Sequence, residues 1–96
     1  MENEFGNKIK KLREENRLLQ REVASLLDID TPLLSKIERG ERKVKREQVF
    51  RFAQVYKVDP ETLLADWLVD QILELLENET IAYKAIQIVV EKVKKK

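Results

Sequence analysis

The sequence predicts an all-α protein, and three features of its composition support this class. Charged residues make up 39% of the 96 residues and hydrophobic residues 43%, as is typical of amphipathic helices. The chain has only two Gly and two Pro, too few for the turns of a many-stranded sheet. At this length we expect one compact domain with a short extension and no room for a second, catalytic domain.

The chain has no Cys and no His. Disulfides, thiolate or imidazole metal ligands, and catalysis that depends on Cys or His are therefore excluded. We expect neither an enzyme nor a protein with a metal or cofactor. The N-terminus is acidic, and no apolar run approaches the roughly 18 to 20 residues that span a bilayer. These features predict a cytoplasmic protein that does not associate with membranes.

The first half of the chain is predicted to form three short helices. Apolar residues at intervals of three and four place them over about residues 4–17, 20–27 and 31–39. Asp28 suits the tight turn before the third helix, because Asp tolerates the left-handed conformation. Asp30 is a strong N-cap and Pro32 fits a first helical turn, whereas Gly40 is expected to end the helix.

Three further helices are predicted in the second half of the chain. After a polar connector over 41–45, Val49 and Phe52 mark a fourth helix. Asp59 and Pro60 give a cap and a start for a fifth, whose apolar pattern continues to about Leu76. We expect Asn78 to cap a last helix that ends in three Lys residues.

Charge is unevenly distributed along the chain. Between Lys36 and Lys57 there are eight bases and three acids, whereas between Asp59 and Glu79 there are seven acids and no base. The first region is suited to binding an anion, and the second would repel it. Two short helices joined by a tight turn, with bases around the second, indicate a helix-turn-helix whose second helix can enter the DNA major groove.

The stretch from Leu18 to Gly40 resembles the Xre or Cro/CI-type helix-turn-helix regulators. Its strongest marks are Gln20 with Ala24, Leu27 with Ile29, and the run Leu-Ser-Lys-Ile-Glu-Arg-Gly over 34–40. The segment 58–64, Val-Asp-Pro-Glu-Thr-Leu-Leu, matches the family's fifth helix. The resemblance implies a five-helix, lambda-repressor-like domain over residues 4–64, followed by a C-terminal helical extension over 65–96. It also implies a DNA-binding protein that usually acts as a two-fold dimer.

The same resemblance implies roles for individual residues. The residues expected to face base pairs are Thr31, Pro32, Leu33 and Lys36. Those expected to contact the DNA backbone are Gln20, Ser35, Arg39, Arg42 and Lys43. A structural ion pair is expected between Arg13 and Glu38.

The chain departs from the family pattern at Leu19, where a capping Thr or Ser is usual, and at Asp28, where Gly is usual. Among the predicted readers only Lys36 is a strong donor to guanine, although Leu33 or the methyl group of Thr31 could meet a thymine methyl. We therefore expect modest direct specificity, supplemented by DNA shape.

The extension over 65–96 carries an apolar stripe that is too long for a 64-residue core to absorb completely. We expect it to form a dimer interface through Trp67, Leu68, Ile72, Leu75, Ile86 and Val89. The alternative is a helical hairpin that folds back on its own domain. The acidic stripe from Asp66 to Glu77 is expected to face away from DNA or to meet the Lys-rich tail.

The sequence therefore predicts a dimeric, sequence-selective regulator of transcription that binds double-stranded DNA, as a repressor or autoregulator. The alternative is a protein-interaction module, such as an antitoxin or a restriction-modification controller, that binds a partner protein.

Overall fold

The computed structural model describes residues 3–96, which form six α-helices and no strand. In chain order the helices are α1 (Glu4–Glu15), α2 (Gln20–Leu27), α3 (Thr31–Glu38), α4 (Arg46–Tyr56), α5 (Pro60–Leu75) and α6 (Ala82–Lys94). The all-α class is confirmed. The first helix ends two residues earlier than predicted, because Arg17 takes a left-handed conformation with φ 56°.

The turn from α2 to α3 and the end of α3 are set by local chemistry. Asp28 is left-handed, with φ 59° and ψ 42°, and Asp30 Oδ1 accepts a hydrogen bond from the Leu33 amide at 2.8 Å. Gly40 ends α3 with φ 77°, and a Cβ there would come within 2.6 Å of the Asn3 side chain. The positive φ favours Gly at this position, and a larger residue would also displace the Asn3 side chain.

Helix α2 begins without the side-chain cap that its start would normally have. Leu19 occupies the N-cap position, and an alkyl side chain has no acceptor. The carboxylate of Glu22 instead accepts a hydrogen bond from the Leu19 amide at 2.8 Å. One half of a capping box therefore replaces the missing cap.

The core lies among the first five helices. Its largest fully buried side chains come from all five of them: Ile9, Val23, Leu34, Val49, Phe52 and Leu63. The ring of Phe5 meets the edge of Phe52 at a centroid distance of 5.6 Å, and Tyr56 stacks on Phe52 at 6.4 Å. Because α3 packs against both α1 and α2, its position is fixed from two sides.

Helix α5 turns its acidic side toward the domain. Asp70 accepts hydrogen bonds from the amides of Glu4 and Phe5, at 2.8 and 3.0 Å, and so caps α1 from a distance. Asp66 lies 3.9 Å from Lys8, and Glu74 pairs with Lys43 in the segment between α3 and α4. These contacts support the packing of Leu63 and Trp67, which holds α5 on its own domain.

The C-terminal end differs most from the sequence expectation. Asn78 does not cap α6, since it has φ 67° in the turn after α5, and α6 begins four residues later at Ala82. None of the residues of α6 is buried, and α6 makes at most a marginal contact with any other described helix. Helix α5 is continuous from Pro60 to Leu75, close to the predicted end at Leu76, and so crosses the expected boundary between residues 64 and 65.

Candidate nucleic-acid interface

Helix α3 divides into a buried side and an outward side. Leu34, Ile37 and Glu38 are buried, whereas Pro32 and Lys36 are exposed. The outward side continues into Arg39, which is exposed at the C-cap, with Ser35 half-buried beside it. The helix can therefore approach a ligand along its length without any rearrangement of the core.

The predicted base readers are not equally accessible. Lys36 and Pro32 lie on the outward side, whereas Thr31 is half-buried at its margin. Leu33 is also half-buried and packs against the hydrophobic core. Its side chain is therefore partly committed to the fold, and Lys36 is the hydrogen-bonding side chain that α3 presents most openly among the four.

A buried carboxylate fixes the orientation of α3. Glu38 is 3% exposed, and its carboxylate accepts hydrogen bonds from Nε and Nη2 of Arg13 at 2.8 and 3.2 Å. The structure thus brings together the two residues expected to pair. Hydrogen bonding to Glu38 raises the pKa of Arg13. Arg13 also donates from Nη1 to the Leu18 carbonyl at 3.1 Å, so this contact ties α1 to the start of α2 as well as to α3.

Gln20 lies at the start of α2, where the family resemblance implies a phosphate contact. Its side-chain amide instead donates to Glu38 Oε1 at 2.9 Å. In this arrangement Gln20 completes the shell of the buried carboxylate. The sequence did not predict that Gln20 holds α2 against α3, because its partner Glu38 lies 18 positions further along the chain.

Three predicted backbone-contacting residues follow or end α3, and two of them are paired with acids. Arg39 Nε donates to Glu41 Oε2 at 2.7 Å, and a second guanidinium nitrogen contacts Ser35 Oγ. This pairing raises the pKa of Arg39 and lowers the pKa of Glu41. Lys43 pairs with Glu74 of α5, whereas Arg42 is exposed.

A concave surface of about 850 Å³ lies beside the outward side of α3. It brings together residues of α1, α2, α3 and the segment after it: Asn7, Lys10, Gln20, Ser35, Glu38, Arg39 and Glu41. Lys10 was not predicted as a site residue. The sequence held a signal for it, because Asn7 and Lys10 precede Arg13 at intervals of three and so share the side of α1 that faces α3.

The six residues predicted to form a dimer interface differ in how far their own chain covers them. Trp67 packs against the core, donates from Nε1 to the Val44 carbonyl at 2.9 Å, and lies 6.0 Å from the Arg46 guanidinium. Its indole is thus engaged within its own chain. Ile86 is half-buried, and the remaining four, Leu68, Ile72, Leu75 and Val89, are exposed.

Residues 3–96 hold no group of three or more Asp or Glu residues placed to bind a metal ion. No helix within this range has the length and apolar character needed to cross a membrane.

The comparison with protein families agrees with this geometry. A family model described as a helix-turn-helix domain matches residues 4–67, about two thirds of the chain. The match includes α1 to α4 and the first half of α5. No curated protein is similar enough in sequence to count as a relative.

Proposed function

Because the chain belongs to the helix-turn-helix domain family, we propose that it is a sequence-selective, double-stranded DNA-binding regulator of transcription. In this proposal it is a Xre or Cro/CI-type protein that binds as a homodimer, with α3 of each copy in the major groove. The observation that carries the proposal is the outward side of α3, where Lys36 and Arg39 are exposed above a core that fixes the helix.

The dimensions and chemistry of α3 suit the major groove. The groove is about 12 Å wide and admits one helix with its side chains. Lys36 supplies a donor for guanine O6 or N7, and the Thr31 methyl group reaches toward a thymine methyl. With so few direct readers, part of the discrimination comes from the cost of bending or narrowing the DNA at each sequence.

Backbone binding uses Ser35, Arg39, Arg42 and Lys43. Arg39 and Lys43 exchange their carboxylate partners for phosphate oxygens when DNA binds. The exchange is inexpensive, since exposed ion pairs contribute about 0 to 1 kcal/mol. Gln20 also contacts the DNA backbone, because its amide nitrogen has a second N–H besides the one that it donates to Glu38.

The regulatory consequence follows from occupancy of the DNA. A dimer on an inverted site places its two α3 helices about 34 Å apart, in successive major grooves on one face of the duplex. A protein bound there blocks other proteins from the same stretch, as a repressor or an autoregulator would. We propose that it does so in the cytoplasm and without enzymatic activity.

The test is to sequence the genomic fragments that the purified protein retains at two salt concentrations, and then to measure affinity for the enriched site. Inverted half-sites are expected, and the logarithm of affinity should fall with the logarithm of salt by about 0.9 for each neutralised phosphate. Arg42→Ala should reduce that slope by about one unit, whereas Lys36→Ala should weaken discrimination between sites. Lys84→Ala, which removes an exposed charge on α6, is the matched control. Retention that is insensitive to salt and to both variants would refute the proposal.

The second candidate is a module that binds a protein partner, as antitoxins and restriction-modification controllers do. It is favoured by the exposed apolar side chains of α6, among them Ile88 and Val93. Its test is co-purification of a second polypeptide in fixed stoichiometry, together with loss of DNA retention. Recovery of the chain alone, with DNA retained, decides against it.

A further inference from the structure

Helix α5 is apolar on two sides, because Leu63 and Trp67 pack in or against the core while further apolar residues face solvent. The side that faces the domain carries Asp66, Asp70 and Glu74, each with a partner in α1 or near α3. The opposite side is apolar and open to solvent, with Leu68 45%, Val69 39%, Ile72 44% and Leu75 80% exposed. Four such residues on one helix form a contiguous apolar face of the kind that marks an interaction site.

Helix α6 is at best marginally stable without packing against another element. It has 13 residues, and isolated helices of this length are marginal in water. Five of its residues are β-branched and lower its intrinsic helix propensity: Ile86, Ile88, Val89, Val90 and Val93. Helicity here therefore depends on packing, yet none of its residues is buried within the chain.

The two elements are complementary in both polarity and charge. On a helical wheel Ile86, Val89, Val90 and Val93 of α6 share one side, which matches the apolar face of α5 in character. Asp66, Asp70 and Glu74 face the domain, but the acids at or beyond the two ends of α5 are exposed: Asp59, Glu61, Glu77 and Glu79. The end of the chain carries the bases Lys92, Lys94, Lys95 and Lys96. Contact in either direction would therefore bring bases to acids.

The chain is also more extended than one compact domain. Its radius of gyration is 15.1 Å, compared with about 12 Å expected for a compact chain of this length. Within one copy, α6 makes at most a marginal contact with α5, although both have exposed apolar surfaces.

We infer that a second copy of this chain covers these surfaces by reciprocal exchange, so that α6 of each copy packs on the outward apolar face of α5 of the other. The inference names the interface of the homodimer in the proposed function and rests on that part of it. Two equivalent contacts result, related by the two-fold axis. Trp67 is excluded from the interface, because it is held by its own chain.

The first experiment is sedimentation equilibrium of the full chain without DNA. A dimer is expected, and Ile72→Glu in α5 and Val89→Glu in α6 should each raise its dissociation constant at least 100-fold. Gln87→Glu, which adds the same charge on the polar side of α6, should change it by less than about 3-fold. Dissociation on dilution should also remove the helical circular dichroism of α6, about a fifth of the helical residues. A monomer at all concentrations, or a dimer indifferent to both substitutions, overturns the inference.

The second experiment distinguishes packing of α6 on α5 of the other copy from packing of α5 on α5 or of α6 on α6. The chain has no Cys, so the single variants Ile72→Cys and Val89→Cys each carry one thiol. Under mild oxidation an equimolar mixture should form a covalent dimer that contains both variants faster than either variant alone forms one. If the mixture forms covalent dimers no faster than the single variants do, the exchange of α6 between copies is wrong. Salt-dependent DNA retention by a monomeric Val89→Glu variant would show that the dimer is lost while the DNA-binding proposal stands.

Discussion

Removal of the buried Glu38 carboxylate should destabilise the domain more than any surface substitution. Glu38 is 3% exposed and accepts three charge-assisted or polar hydrogen bonds, from Arg13 Nε, Arg13 Nη2 and Gln20 Nε2. Glu38→Ala leaves the guanidinium of Arg13, whose side chain is 13% exposed, without its counter-charge. Breaking a buried pair from one side costs about 3 to 5 kcal/mol. Because Arg13 keeps its hydrogen bond to the Leu18 carbonyl and some contact with water, we expect the free energy of unfolding to fall by about 3 to 4 kcal/mol.

The assay is urea unfolding monitored by the fluorescence of Trp67, the single Trp of the chain, which packs against the core. With an m value of about 1 to 1.5 kcal/mol/M, the midpoint should fall by about 2 to 4 M. Glu41→Ala, which removes an exposed carboxylate from an exposed pair, is the control and should change the midpoint little. A double-mutant cycle with Arg13→Ala should show strong coupling. A Glu38→Ala variant within 1 kcal/mol of the parent would refute the reasoning.

Three further predictions concern the caps, the buried hydroxyl and the DNA-facing charges. Asp70→Ala removes both acceptors that cap α1 and should lower the free energy of unfolding by about 1 to 2 kcal/mol in thermal denaturation. Tyr56→Phe should raise it by about 1 kcal/mol at pH 7, because the buried hydroxyl has no hydrogen-bond partner among the described residues. Burial, with Glu38 nearby, raises the pKa of Tyr56 in the folded state. The neutral phenol therefore contributes stability that is present below about pH 10 and is lost as pH rises further. Tyr56→Phe should lose less stability than the parent protein in alkali. Glu41→Gln frees Arg39 and should tighten DNA binding by about 2- to 5-fold in fluorescence anisotropy.

Each of these predictions has a matched comparison. Glu77→Ala removes an exposed acid of the same region, and equal destabilisation by it and by Asp70→Ala would contradict the capping role. A Tyr56→Phe variant with the alkaline profile of the parent would show that another group titrates there. For the anisotropy measurement, Arg39→Ala should weaken binding, and unchanged affinity in both variants would remove Arg39 from the interface.

The sequence predicted the helices of the domain well because their signals are local. Asp30, Pro32 and Gly40 act on the residues next to them, so the bounds of α3 follow from the chain within one residue. Asn78 was misread because its residue type suits both a helix cap and a left-handed turn, and the choice depends on where α5 ends. The pairing of Arg13 with Glu38 was reached through the family resemblance, since nothing local links positions 25 apart.

By itself the sequence determined the all-α class, the basic segment around α3 and the apolar content of the last 32 residues. Only the tertiary structure decided which side of each helix is used. On the inward side of α5, Asp70 accepts hydrogen bonds from the amides of α1 and Glu74 pairs with Lys43, beside the buried Leu63, and a second apolar side of α5 is left in solvent. Gln20 turns to Glu38 because a buried carboxylate must be fully hydrogen-bonded. Periodicity shows that a helix has two sides, but the partners that choose between them come from distant parts of the chain.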